Sequence, residues 1–255
     1  MTDQAQPLVS HLVELRNRLL KSVLVVLALF LGMFYFANDL YLIMVEPLST
    51  LLPDSGNMIA TGVASPFLVP FKMTLVLAVL LAVPFILFQI WSFIAPGLYQ
   101  HEKKFGIPLL ISSVLLFYAG IAFAYFVVLP LVFAFFTAAG PEGISFLPDI
   151  SNILNFILKI FFAFGIAFEI PIATFLMVLT GITSVQSLTA KRPYIFLGCF
   201  VVGMLVTPPD VISQTVLALP MYSLFEIGVL FSRMIKRRDE DSDENNDDEE
   251  NSIAG

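Results

Sequence analysis

Of the 255 residues, 58% are apolar and 13% are charged, and the mean hydropathy is +0.90. Soluble domains carry roughly 25% charged residues, and a water-soluble globule of this length has no interior large enough to hide so much apolar surface, so soluble, nucleic-acid-binding and disordered classes are excluded. The net charge of −7 belongs to one segment: positions 239–250 hold nine of the twenty acids and no base, and residues 1–238 carry a net +2. Cys199 is the only cysteine, so no intramolecular disulfide forms and no cysteine-based metal site is expected.

In chain order, the first expected element is an amphipathic helix over residues 8–21. Leu8, Leu12, Leu15 and Leu19 share one stripe, and His11, Glu14, Arg18 and Lys21 share another. It lies on the inner surface and runs into a first span over 19–36, read as retained rather than as a cleaved signal peptide. Five further apolar stretches follow at 69–94, 107–136, 153–178, 194–206 and 211–231. Crossing about 30 Å of hydrocarbon takes roughly 20 residues of helix, and lipid offers backbone groups no other partners, so each stretch must be helical. The fifth, at about 20 Å, is short, and the third, at about 45 Å, is long. Pro84, Pro130, Pro171 and Pro220 fall inside spans and favour bent helices and a curved, cup-like bundle.

Bases flank alternate ends of these stretches. Arg16, Arg18 and Lys21, then Lys103 and Lys104, then Lys191 and Arg192, then Arg233 and Lys236 to Arg238 all fall on one side, and the intervening loops contain only acids. The positive-inside rule then places both termini in the cytoplasm around an even number of spans, six. The expected organisation is a cytoplasmic amphipathic segment (1–18), a six-helix transmembrane domain (19–233) and a charged, disordered, solvating tail (234–255).

Two acids, Glu14 and Glu102, stand on the face where topology otherwise demands bases. The plain reading of Glu14 is an i,i+4 ion pair with Arg18, worth a few tenths of a kcal/mol; that of Glu102 is a solvated loop charge. Together they would suit a cationic ligand. Glu169 lies roughly 14 Å from the inner end of the fourth span. An acid at that depth costs about 2.5–3.5 kcal/mol on insertion scales and reads as a functional site. Glu226 is shallower, with an interfacial and a buried position equally open. Lys72 and Lys159 near outer span ends fit snorkelling, Gln214 fits an interhelical hydrogen bond, and Asp210 fits a cap on the sixth helix. No hydrolase, protease, phosphate-binding or metal motif is found, so neither an enzyme nor a cofactor is expected.

In this order the motifs resemble the TatC family, the multispan receptor of the twin-arginine protein translocase. They are His11-Leu12-Val13-Glu14-Leu15-Arg16-Asn17-Arg18, Ala64-Ser65-Pro66-Phe67, Phe93-Ile94-Ala95-Pro96-Gly97-Leu98-Tyr99 with His101-Glu102-Lys103-Lys104, Phe168-Glu169-Ile170-Pro171, Lys191-Arg192-Pro193-Tyr194 and Thr207-Pro208-Pro209-Asp210. The similarity runs from about residue 7 to 233; one departure is Gly97, where a small or alanine-like residue is expected, and Glu46 before Pro47 adds an acid to the first outer loop. The resemblance implies a non-enzymatic receptor in a bacterial inner membrane that binds twin-arginine signal peptides of folded cargo. It also implies single-span TatA-type and TatB-type partners and transport driven by the protonmotive force. Carried over, Glu14 and Glu102 receive the two arginines, within a face formed by Leu8, His11, Leu12, Arg16, Phe93, Leu98, Tyr99 and Lys103. Glu169, Gln214, Thr207, Met204 and Tyr125 serve partner contacts inside the membrane, and Pro47, Pro84 and Asp210 serve shape. The short fifth and sixth helices form a candidate docking edge. The competing reading is a proton-coupled small-solute transporter with Glu169 as its coupling carboxylate; the lack of an internal repeat weighs against it.

Overall fold

The structure, a computed structural model, describes residues 5–42, 59–94, 106–138, 149–207 and 211–253, with side chains for 12–42, 59–93, 106–136, 149–207 and 211–234. The described residues are mostly helical, with short turns between helices and one isolated β-bridge between Ile59 and Asp149. The helices are α1 (Ala5–Phe34), α2 (Ser65–Ile94), α3 (Gly106–Phe123), α4 (Leu129–Ala138), α5 (Ile150–Ala167), α6 (Ile170–Leu179), α7 (Val185–Ala190), α8 (Arg192–Val206) and α9 (Val211–Ile253). The amphipathic lead-in and the first span form one uninterrupted helix, α1.

Among the described residues, five stretches are long and apolar enough to cross a membrane: Leu12–Phe34, Ser65–Phe93, Gly106–Phe136, Ile150–Leu179 and Val211–Met234. These match five of the expected runs to within a few residues at most ends. The remaining run is α8, 15 residues long and about 22 Å at 1.5 Å per residue, short of an average bilayer. In the apolar 18-residue core of each stretch at most 39% of residues are buried, and only 11% in the first. Leu19, Leu24, Leu31, Leu115 and Phe126 are exposed. Such surfaces are stable only against hydrocarbon or other helices, so the solvent of this fold is lipid.

The prolines act unequally. Pro84 and Pro70 lie inside an unbroken α2, and Pro220 inside α9. Pro130 follows a π-helical turn, Ala124–Val128, in which the Leu129 N–H reaches back five residues to the Ala124 carbonyl. A proline ring has no N–H to donate and crowds the carbonyl four residues earlier, and a wider turn relieves that crowding. Pro171 separates α5 from α6. Phe168 and Glu169 form a turn, the Glu169 N–H bonds to Ile166, and the regular ladder resumes with Ala173 N–H on the Glu169 carbonyl at 2.8 Å.

The chain divides into two compact units, 1–162 and 163–255. In the first, α1 packs along α2, and Phe30 and Phe34 meet Phe71 edge-on at 5.1 and 6.0 Å. Val69 and Met73 of α2 pack with Leu154 and Leu158 of α5. Buried polar groups are satisfied locally: Trp91 Nε1 donates to Ser113 Oγ, and Tyr118 OH donates to the Leu80 carbonyl. Lys72, read as a snorkelling side chain, donates to Asn155 Oδ1.

Asp149 ties this unit's loop to its helix. Thr61 N–H and Oγ1 donate to Oδ2 at 2.9 and 2.6 Å, and the Ser151 and Asn152 N–H groups donate to Oδ1. Asp149 thereby caps α5. Hydrogen bonds to the charged form, those from Thr61 foremost, hold its carboxyl at about 2 instead of 3.8. A depressed carboxylate contributes stability in full above its ordinary pKa and loses it as pH falls through the folded value. The melting temperature of the native chain should therefore exceed that of Asp149→Asn by a constant margin from pH 7 down to about 4, and the margin should shrink only below that; melts in detergent across this range check it.

In the second unit, α9 packs on α6, α7 and α8 around Val185, Leu188, Phe225 and Val229. Gly181, at φ 69°, turns the chain out of α6 in a left-handed conformation that costs glycine nothing. Ser184 caps α7 by accepting the Ser187 N–H. Gly228 marks the closest approach of α9 to α6: a Cβ there would stand 2.0 Å from Thr174 Oγ1 and 2.8 Å from the Pro171 Cα.

Candidate functional site

The charged cluster at the start of the first span is built from two helices. Glu14 and Arg18 lie one turn apart on α1, and Arg18 Nε and Nη2 both donate to Glu14 Oε1, at 3.0 and 2.6 Å. The ion pair read from the spacing is present. Its second half was not legible: Arg18 Nη1 also donates to Gln89 Oε1 at 3.3 Å and Nη2 to the Ser92 carbonyl at 3.0 Å, both on α2. Gln89 is buried, and an amide inside an apolar run was the only available signal that something polar faced it. The side chain of Glu14 is 40% exposed and that of Arg18 23%. The carboxylate is thus reachable from solvent while its partner is packed between helices.

Around this pair, Leu12, Leu15 and Leu19 are all exposed, so the leucine stripe faces away from the protein's own core. Arg16 points outward and donates to Asn17 Oδ1. Phe93 is half-buried at the end of α2. The side chains of Leu8 and His11, and residues Leu98, Tyr99, Glu102 and Lys103, lie outside the described residues, so the second carboxylate is not placed relative to the first. Pro47 and Asp210 lie outside them too.

Tyr125 sits in the π-turn, packs edge-on against Phe126 at 4.9 Å and faces Phe161 at 6.4 Å. With Leu77, Leu80, Leu81, Tyr118 and Phe161 it lines an apolar cavity of about 390 Å³. Glu169, expected in mid-span, occupies the break between α5 and α6. It is half-buried, with Oε1 shielded from solvent. Thr207 is buried and donates Oγ1 to the Gly203 carbonyl at 2.9 Å. Gly203 in turn lies against the backbone of Gln214, at the end of α8 and the start of α9. Met204 is exposed. Pro84 lies within α2 and makes no break there. Among the described residues no three His, Cys, Asp or Glu side chains gather closely enough to hold a metal.

One cluster escaped sequence reasoning. Arg192 Nη2 pairs with Glu226 Oε2 at 2.5 Å, and Tyr222 OH donates to Glu226 Oε1 at 2.7 Å. Glu226 is half-buried and paired, and the 34 residues between the partners hid the pairing. Arg192 Nε is buried without a hydrogen bond among the described residues. The charged side chains are 37% and 32% exposed, so screening reduces the pair's worth. Arg192→Ala and Glu226→Ala should each cost about 1–2 kcal/mol, with the double variant costing less than their sum by about 1 kcal/mol. Detergent melts of the three variants check this.

Five long apolar helices among the described residues, with many large hydrophobic side chains exposed along them, define a multi-pass membrane protein. Comparison with known proteins makes that specific. The family model described as TatC, Sec-independent protein translocase protein, matches residues 10–220. A Sec-independent protein translocase protein TatC of Azotobacter chroococcum is 59% identical over 94% of each chain, and that of Escherichia coli K12 is 54% identical over 91% of this chain and 90% of its own. A crystal structure of a twin-arginine translocase receptor, TatC, superposes with a TM-score of 0.78 at 36% identity, covering 88% of this chain and 98% of that one. The chain belongs to the TatC family. It is a component of the Tat protein-transport pathway, and this assignment disfavours the solute-transporter reading.

Proposed function

We propose that this chain is the receptor core of twin-arginine translocation, binding the paired arginines of signal peptides on folded cargo at the face around Glu14. The observation that carries the proposal is Glu14 itself: a solvent-reachable carboxylate, held in place by a packed arginine, at the start of the first span. Guanidinium pairs with carboxylate through two parallel hydrogen bonds, which an ammonium cannot copy, so such a site favours Arg-Arg over Lys-Lys. Glu102 supplies the second carboxylate, and Leu8, His11, Leu12, Arg16, Phe93, Leu98, Tyr99 and Lys103 supply the surrounding surface. The proposed topology is six spans with both termini in the cytoplasm of a bacterial inner membrane, α8 being the short span. The bundle is curved, residues 1–18 form the cytoplasmic lead-in, and residues 234–255 form a solvated charged tail.

TatA-type and TatB-type single-span partners complete the machine, because a chain of this size cannot itself enclose a folded cargo. Glu169, Tyr125, Met204, Thr207 and Gln214 serve partner contacts within the membrane, transport draws on the protonmotive force, and Pro47, Pro84 and Asp210 set loop and helix shape. Photocrosslinking tests the receptor role, with a probe at Val13 in membranes and a signal peptide bearing Arg-Arg or Lys-Lys. Labelling by Arg-Arg alone is the expected result; equal labelling by both would remove the receptor role.

A further inference from the structure

We infer that Arg18 is a positioning residue for signal-peptide specificity: it grips one oxygen of Glu14 and fixes the other for an incoming guanidinium. The inference rests on the receptor reading above and adds a residue to its site. Two neighbours on a helix would ordinarily form a weak, mobile pair. Here the guanidinium is anchored on a second helix by Gln89 Oε1 and the Ser92 carbonyl, 71 and 74 residues away. Three of its nitrogens are engaged, and both bonds to Glu14 land on Oε1. Among the described residues Oε2 accepts no hydrogen bond. A carboxylate free to rotate keeps only part of the advantage that planar pairing gives arginine over lysine. One whose plane is fixed presents its remaining lone pairs in a single direction, which a planar fork can match and an ammonium cannot.

Arg18 also cancels the charge of Glu14. The site then discriminates by geometry rather than by simple attraction to cations, since net attraction would draw Lys-Lys as strongly as Arg-Arg. Gln89 gains a role on this account, as the α2 group that holds the arginine without adding charge.

Arg18→Lys keeps the charge but loses the fork, because a single ammonium cannot reach Glu14, Gln89 and the Ser92 carbonyl together. In the Val13 crosslinking assay, the ratio of Arg-Arg to Lys-Lys labelling should fall about tenfold, whatever the variant loses in melting temperature. Gln89→Leu, which leaves both charges in place, should lower the same ratio severalfold. A purely structural contact would lower yield and stability and leave the ratio alone. If the native chain discriminates and both variants discriminate equally well, the inference falls and the receptor reading stands. Stronger Arg-Arg labelling in Arg18→Lys would make Arg18 a competitor for Glu14 and would also overturn it. A native chain that labels both peptides equally removes the receptor reading and the inference with it.

Discussion

A Glu14→Ala chain should capture a twin-arginine peptide about thirty- to a hundredfold less well than the native chain. The magnitude follows from the cost of truncating one partner of a hydrogen-bonded charge pair, about 2–5 kcal/mol, taken at its lower end because the Glu14 side chain is 40% exposed and partly screened. Two effects act in the same direction. The carboxylate that would receive the peptide guanidinium is gone. Arg18 remains tied to Gln89 and the Ser92 carbonyl, so its positive charge stays at the site and now repels the arginines. Because those two ties persist, α1 should keep its place on α2, and stability should change little. Glu14→Gln retains an acceptor without the charge and should fall between the two. Titrating peptide against labelling yield gives the ratio; a Glu14→Ala chain that labels as the native chain does would reduce Glu14 to an ordinary surface charge.

Gly228→Ala should destabilise the chain by about 3 kcal/mol, at the upper end of the range for an overpacked core. The added methyl would lie 2.0 Å from Thr174 Oγ1 and 2.8 Å from the Pro171 Cα. The hydroxyl cannot simply turn away, since Thr174 already donates to the Ile170 and Pro171 carbonyls, and the second obstacle is backbone. The helices must therefore separate next to the turn that carries Glu169. Gly198 of α8 is the control: nothing lies within 4 Å of a Cβ built there. There the substitution should instead stabilise by up to about 1 kcal/mol, through the helix propensity of alanine over glycine. Thermal melts of both variants in detergent, read against the native chain, settle the sign at each position.

Local features of this protein were legible in its residues one after another. Apolar runs located the helices because lipid leaves the backbone no alternative, and α2, α4, α5, α8 and α9 begin or end within a few residues of the expected limits. The Glu14–Arg18 pair followed from a separation of four residues. Pro171 beside Glu169 pointed to freed backbone groups, and the helix indeed breaks there. Pro84 gave the same signal without that consequence, since α2 runs unbroken through it. A proline removes one hydrogen bond wherever it stands, but whether the helix parts depends on what packs around it.

What the residues settled alone is therefore the membrane class, the apolar segments, the Glu14–Arg18 pair one turn apart and the family motifs. What only the tertiary structure decided is everything that needs two segments brought together. Arg18 reaches α2 across 71 and 74 residues, Arg192 finds Glu226 across 34, and Thr61 finds Asp149 across 88. The contact of Gly228 with Pro171 and Thr174 exists only because α9 returns against α6. Helical periodicity repeats every 3.6 residues and so predicts neighbours three or four apart; it carries no information about which helix face will meet which, because that is set by how the folded chain fills space.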